Sequence, residues 1–196
     1  MKTWIKTIVL GLALVGALEA MALTGSARVI VNEGMTFDLV IANATQDFTI
    51  SLKSDEGTTF YSKDVAGKSH FSTRFDVHFL DNGNYVLQLE DADRIQEFPI
   101  VIEGKSVNVS AARSFDLLKP TVTTKGEFIY VNALSVDRVA RLRVNVYDND
   151  DSSLMTDTIV GTNNIGRIYS MENLPSGSYK VVVSTDGKVF EHTIEK

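Results

Sequence analysis

Apolar and polar residues alternate over short runs along most of this chain, the period of a half-buried β-strand. Phe37-Asp38-Leu39-Val40-Ile41, Phe48-Thr49-Ile50-Ser51-Leu52 and Tyr85-Val86-Leu87-Gln88-Leu89 are examples from the first half. Leu142-Arg143-Val144-Asn145-Val146 and Tyr179-Lys180-Val181-Val182-Val183 follow in the second. Each run carries a β-branched or aromatic face suited to pack against a second sheet. Turn chemistry separates them: Asp55-Glu56-Gly57, Asp81-Asn82-Gly83, Pro175-Ser176-Gly177 and Asp186-Gly187. Strands at this spacing predict antiparallel sandwiches, and no stretch after the N-terminal segment has helical periodicity.

The second half of the chain echoes the first. A shift of 94 positions aligns Asp47–Ile100 with the later stretch without a gap. Gly67 then meets Gly161, Leu80 meets Leu174, Gly83 meets Gly177, Tyr85 meets Tyr179, Glu97 meets Glu191 and Ile100 meets Ile194. Phe60 meets Leu154, Phe75 meets Tyr169 and Leu89 meets Val183. The matches preserve strand faces and turn glycines, so they describe a fold and not a reaction. In Leu80-x-x-Gly83-x-Tyr85 and Leu174-x-x-Gly177-x-Tyr179, the leucine is expected to be buried and the glycine to admit a tight turn. The tyrosine should return to the core, its hydroxyl reaching a backbone partner at the rim. The expectation is two tandem Ig-like antiparallel β-sandwich domains of about seven strands each. Their boundary is placed at Glu103-Gly104-Lys105-Ser106, giving domains over 23–104 and 105–196.

The N-terminus breaks the pattern. Lys2 and Lys6 precede an apolar run from Ile8 to Leu18, and Ala20-Met21-Ala22 follows as an A-x-A site. Residues 1–22 read as a signal peptide cut after Ala22, with Ala20 as the alternative point. The run is shorter than the roughly 20 residues that cross a bilayer, and Glu19 interrupts its end. The mature protein is therefore expected in the periplasm or at the cell surface, without a transmembrane anchor. The chain contains no cysteine, which removes both a disulfide framework and a lipid-modified cysteine from consideration.

Composition adds bounds. Of 196 residues 44% are apolar and 22% charged, a globular balance. The 19 basic and 25 acidic residues give a net charge of −6 and no basic run, which argues against a nucleic-acid partner.

Candidate chemistry is sparse. There is no cysteine nucleophile, G-x-S-x-G elbow, P-loop or H-E-x-x-H, so the chain reads as non-enzymatic, with no catalytic residue or cofactor expected. His70, His78 and His192 lack metal or triad spacing and read as surface or rim residues. Asp148, Asp150 and Ser152 place oxygens at alternate positions, as the start of a calcium loop does. The loop's central glycine is missing, however, and Ile159 stands where a bidentate glutamate belongs, so a hairpin turn is expected here. Tyr61, Phe71, Tyr130, Tyr147 and Tyr169 are candidates for stacking on sugar rings, although several fall on core-facing positions. Trp4, the single tryptophan, lies in the signal segment.

Residues 144–148, 173–183 and 187–196, with their L-P-x-G-x-Y turn and a last strand ending in Lys196, resemble the C-terminal sorting domains of the type IX secretion system of Bacteroidota. They are also similar to short exported β-sandwich proteins of that phylum. The resemblance covers roughly the last 60 residues, and Asp151 replaces the glycine usual in the family. It implies an exported protein whose second domain is either a secretion address or a scaffolding module. The reading from sequence is a non-enzymatic envelope protein that binds another envelope protein, with a carbohydrate-binding module or a secretion-sorted surface protein as alternatives.

Overall fold

The structure is a computed structural model. It describes Thr7–Ile8 and residues 27–196 apart from 110–113. The expected signal peptide and its cleavage point at Ala22 thus lie, those two residues aside, outside the described residues. Every regular element described is a β-strand. The described residues fall into two compact units divided between Leu117 and Leu118.

In the first unit, β2 (Ala27–Val31), β3 (Thr36–Ala44) and β6 (Lys68–Asp76) form a three-stranded sheet in the order β2-β3-β6. The facing sheet is built on β4 (Phe48–Ser54), β5 (Thr59–Val65), β7 (Gly83–Asp91) and β8 (Arg94–Glu103), in the order β8-β7-β4-β5. Alternation in β3 buries Phe37, Leu39 and Ile41, while β7 buries Tyr85, Leu87 and Leu89. Aromatic rings knit this core. Phe37 stacks on Phe75 with centroids 4.9 Å apart, and Tyr61 meets Phe75 edge-on at 5.2 Å.

The boundary expected at Gly104 moves to Leu117. Gly104-Lys105 is the two-residue turn of a hairpin joining β8 to β9 (Ser106–Val109), with Gly104 at φ +61°. Glycine takes that angle without the Cβ clash other residues meet, which makes a tight hairpin look like a linker in sequence. β10 (Phe115–Leu118) also pairs with β8. A paired clamp from Arg94 to Asp116, its Nε donating at 2.6 Å, ties β10 to the strand it covers.

The second unit repeats the arrangement in one curled sheet. β11 (Thr121–Lys125) pairs with the start of β12 (Phe128–Tyr147), and β12 pairs along its length with β13 (Ser153–Ser170). The later part of β12 also pairs with β14 (Ser178–Thr185), and β14 with β15 (Lys188–Glu195). Where the first unit breaks β3 from β4 and β5 from β6, β12 and β13 run through the corner. A register shift between Ser135 and Val139 turns them, with Asn163 at φ +59° opposite. Buried positions switch there from Ile129, Val131 and Ala133 to Ala140, Leu142, Val144 and Val146, so one face stays apolar across the bend. β1 (Thr7–Ile8) pairs with Ile168–Tyr169 of β13. The fold is thus all-β, two Ig-like sandwiches in tandem, the first setting three strands against six and the second curling one six-stranded sheet on itself.

Candidate functional site

The Leu-x-x-Gly-x-Tyr segments form the same corner in both units. Leu80 and Leu174 are buried, and the rings of Tyr85 and Tyr179 fill the core beside them. Tyr85 Oη donates to the Asp81 carbonyl at 2.9 Å, and Tyr179 Oη donates to the Pro175 carbonyl at 2.7 Å. Burial first, and nearby carboxylates second, raise both phenols above their ordinary range. The glycines differ. Gly177 has φ +154°, whereas Gly83 has no positive φ, and a Cβ there would meet only the Tyr85 ring at an ordinary 3.7 Å. The turn requires no glycine at position 83.

Lys196 adds a feature that sequence reasoning missed. Its ammonium donates to three carbonyls of the turn ahead of the corner: Met171 at 2.6 Å, Leu174 at 2.8 Å and Glu172 at 3.0 Å. Glu127 stands 3.5 Å away, and the side chain is only 15% exposed. Under the repeat, position 196 corresponds to Ile102, which is 1% exposed. One strand end is therefore pinned by an apolar side chain and its counterpart by an ammonium in a ring of carbonyls.

The Asp148 loop closes on itself. Asp148 Oδ1 accepts the Asp150 and Ser152 N–H groups at 3.0 and 2.8 Å, as an Asx-type turn does. Asp151 takes φ +56° where the aligned Gly57 takes φ +88°, and its carboxylate pairs with Lys180 at 2.5 Å. The Lys180 ammonium also lies 5.4 Å from the Tyr147 ring centroid. Among the described residues, no three histidine or acidic side chains gather to hold a metal ion.

The candidate sugar-stacking rings are not assembled into one platform. Tyr61 and Phe71 pack against the first core, Tyr147 lies beside Lys180, and Tyr169 is fully buried in the second core. Tyr130 is half-buried. Tyr169 instead belongs to a polar cluster with no sequence signature. Its hydroxyl donates to Asp157 Oδ2 at 3.0 Å, and Arg167 Nε stands 3.3 Å from the same oxygen. Burial, reinforced by that carboxylate, holds its phenol far above the ordinary tyrosine value. The aligned positions in the first unit are Lys63, Thr73 and Phe75, which make no such cluster.

The histidines are dispersed as well. His70 is exposed, and His78 Nδ1 lies 2.6 Å from Asp76 Oδ1 on the surface. His192 is half-buried in β15, where burial lowers its imidazole and its buried Nε2 has no hydrogen-bond partner.

What remains chemically available is backbone at a sheet edge. Gly177 and Lys196 exchange both backbone bonds, at 3.2 and 3.0 Å. In an antiparallel ladder such pairs recur at every second residue. Ile194, His192, Phe190 and Lys188 therefore face β14, and Glu195, Thr193, Glu191 and Val189 turn their N–H and C=O groups away from it. Among the described residues no strand pairs with β15 on that side. The equivalent strand β8 is treated otherwise. β9 covers Ile100–Glu103 and β10 pairs along the same strand. Pro99, aligned with Thr193, supplies no N–H to that edge.

No protein family and no curated protein matches the chain. Two solved structures are similar in outline. A "Biofilm associated protein - BSP domain" is 18% identical with a TM-score of 0.30, over 87% of this chain and 29% of that one. A two fibronectin type-III domain segment from chicken tenascin is 11% identical with a TM-score of 0.29, over 88% of this chain and 98% of that one. The present chain thus spans less than a third of the biofilm-associated chain, and at these scores neither likeness bears on what it does.

Proposed function

We propose that the chain is an exported, non-enzymatic envelope protein that works as a protein-interaction or scaffolding module, docking through a sheet edge. The observation that carries this reading is the regular row of outward backbone groups along β15, with which no strand pairs among the described residues. Unpaired edges are templates for strand addition, and soluble proteins ordinarily cover, charge or interrupt them. The polar side chains with candidate chemistry are mostly engaged within the fold, Asp148 with its own loop and Tyr169 with Asp157.

A native pull-down with the purified chain, from envelope extract of its own organism, tests this. A protein recovered in stoichiometric amount, and lost with a Thr193→Pro bait, supports the reading. No recovery together with specific retention on a glycan array would replace it with the carbohydrate-binding alternative. The secretion-address alternative draws on Lys196, whose side chain fastens the last strand to the corner turn. It predicts that Lys196→Met lowers surface delivery in a type IX-competent host.

A further inference from the structure

We infer that the outer face of the second domain's β13-β12-β14-β15 sheet docks on the outer face of the β5-β4-β7-β8 sheet in the first domain of another copy of this chain. This deepens the scaffolding reading above and rests on it, but uses a sheet face and not the edge of β15.

The first observation is a pair of arginines without carboxylates. Arg74, Arg94 and Arg167 each sit on an aspartate. Arg141 and Arg143 are exposed on β12, alternating with the buried Ala140, Leu142 and Val144, and no ion pair holds either of them among the described residues. Cross-strand neighbours share a face. Arg143 therefore lies between Thr158 of β13 and Ser184 of β14, with Arg141 beside Val160. None of these neighbours is acidic. Val160 is 54% exposed, and Val189, opposite Ser184, is 61% exposed. Guanidinium groups set among bare aliphatic side chains suit a protein surface that carries carboxylates.

The second observation names the occupant. Under the 94-residue repeat, the same row of the first domain's sheet carries the opposite charge. Thr49 stands where Arg143 does, and its cross-strand neighbours are Asp64 and Glu90 in place of Thr158 and Ser184. Asp47, just ahead of β4, holds the position of Arg141. Asp64 accepts the Thr49 hydroxyl at 2.7 Å and Asp47 the Gly67 N–H at 2.9 Å, neutral donors that leave both exposed carboxylates charged. One row thus reads acid–threonine–acid and its counterpart threonine–arginine–serine, on sheets of the same strand order. Lys53 lies one row along on the acidic face and donates to Gln88. The chain's net charge of −6 opposes random self-association, so the match of these two rows sets the register.

The two faces are different patches, which makes the contact head-to-tail. Each added copy leaves one face unused at either end, so assembly runs on to rings or filaments. A face of four strands, each roughly 20 Å long and about 4.8 Å apart, presents only a few hundred Å². That falls short of a stable complex, so the association is weak and salt-sensitive.

Sedimentation tests this directly. At an ionic strength of about 0.01 M the chain should form oligomers that grow with concentration, and about 0.5 M salt should return it to monomer. Arg141→Glu combined with Arg143→Glu should raise the dissociation constant by about tenfold or more. Asp64→Arg should weaken association from the other side. An equimolar mixture of these two variants should associate again, because the first keeps the acidic face and the second the basic one. That recovery also shows that both variants fold. Thr193→Pro, which alters only the β15 edge, should leave self-association unchanged. A chain monomeric at low salt and millimolar concentration overturns the inference. So does association indifferent to the arginine reversals, or a mixture that recovers nothing. In any of these cases, capture of a different envelope protein that is lost with Thr193→Pro would leave the docking reading standing.

Discussion

The two domains share a topology and a 94-residue register but finish their last strands differently. In the first, β8 sinks Ile102, next to its last residue, into an apolar core, carries Pro99 at its edge and is overlaid by β9 and β10. In the second, β15 leads to an ammonium in a ring of carbonyls and has Thr193 where the proline stood, and among the described residues no strand pairs with its outer side. Polarity inside the cores diverges too, with stacked Phe37 and Phe75 in one and Tyr169 on Asp157 in the other. One strand plan thus supports two differently fastened strand ends and two differently polar cores, these differences resting on a handful of side chains.

Substitutions at equivalent positions sharpen this contrast. Native-state hydrogen exchange read by mass spectrometry can follow each domain within the whole chain. The largest effect is expected from Ile102→Ala, which opens a cavity in the first core and should cost about 2–5 kcal/mol there. Lys196→Met should cost the second domain about 2 kcal/mol, since three carbonyls lose a charged donor while the aliphatic stem is kept. Equal, negligible losses from Lys196→Met and from an exposed lysine such as Lys68→Met would refute the role of the carbonyl ring.

Phe75→Tyr and Tyr169→Phe form the next pair. The first buries a hydroxyl where the aligned partner is Lys63 instead of Asp157, and should cost about 1–3 kcal/mol. The second removes a hydroxyl from the buried cluster and should cost about 1–2 kcal/mol. Adding Lys63→Asp to Phe75→Tyr should recover part of the loss if the two cores are interchangeable at this point. Tyr85→Phe and Tyr179→Phe should each cost about 1 kcal/mol, alike in the two domains because the corners are alike.

The smallest effect is expected from pH. Burial holds His192 below the ordinary histidine value, so the unfolded chain takes up its proton first as pH falls. The second domain should therefore lose stability as pH drops through about 6.5 and level off below the folded value. His192→Gln should flatten that slope, and an unchanged slope in the variant would place its origin elsewhere.

Much of this architecture was legible because alternation and turn glycines are local signals. Phe37–Ile41 and Tyr179–Val183 fall within observed strands, and the tyrosine corners close as their spacing implied. The domain boundary was not, since Gly104 serves a hairpin whose second strand is recognisable only from its pairing with β8. The Lys196 ring was hidden for another reason: its acceptors are backbone carbonyls 22–25 residues earlier, which any sequence provides. Likewise, Asp157 and Tyr169 are twelve residues apart on a strand, and only the bend of β13 brings them together. The open edge lay between these extremes. Thr193 opposite Pro99 can be read from the repeat, but which residues turn their N–H groups outward follows only from the Gly177–Lys196 pair.

The most direct test of the difference between the domains is residue-resolved amide exchange by NMR on a dilute sample. Val189, Glu191, Thr193 and Glu195 should exchange quickly while Phe190, His192 and Ile194 are protected, and Val101 and Glu103 on the covered edge should be protected too. Uniform protection along β15 in a dilute, monomeric sample would contradict the open edge. Rapid exchange at Val101 and Glu103 would contradict the closed one.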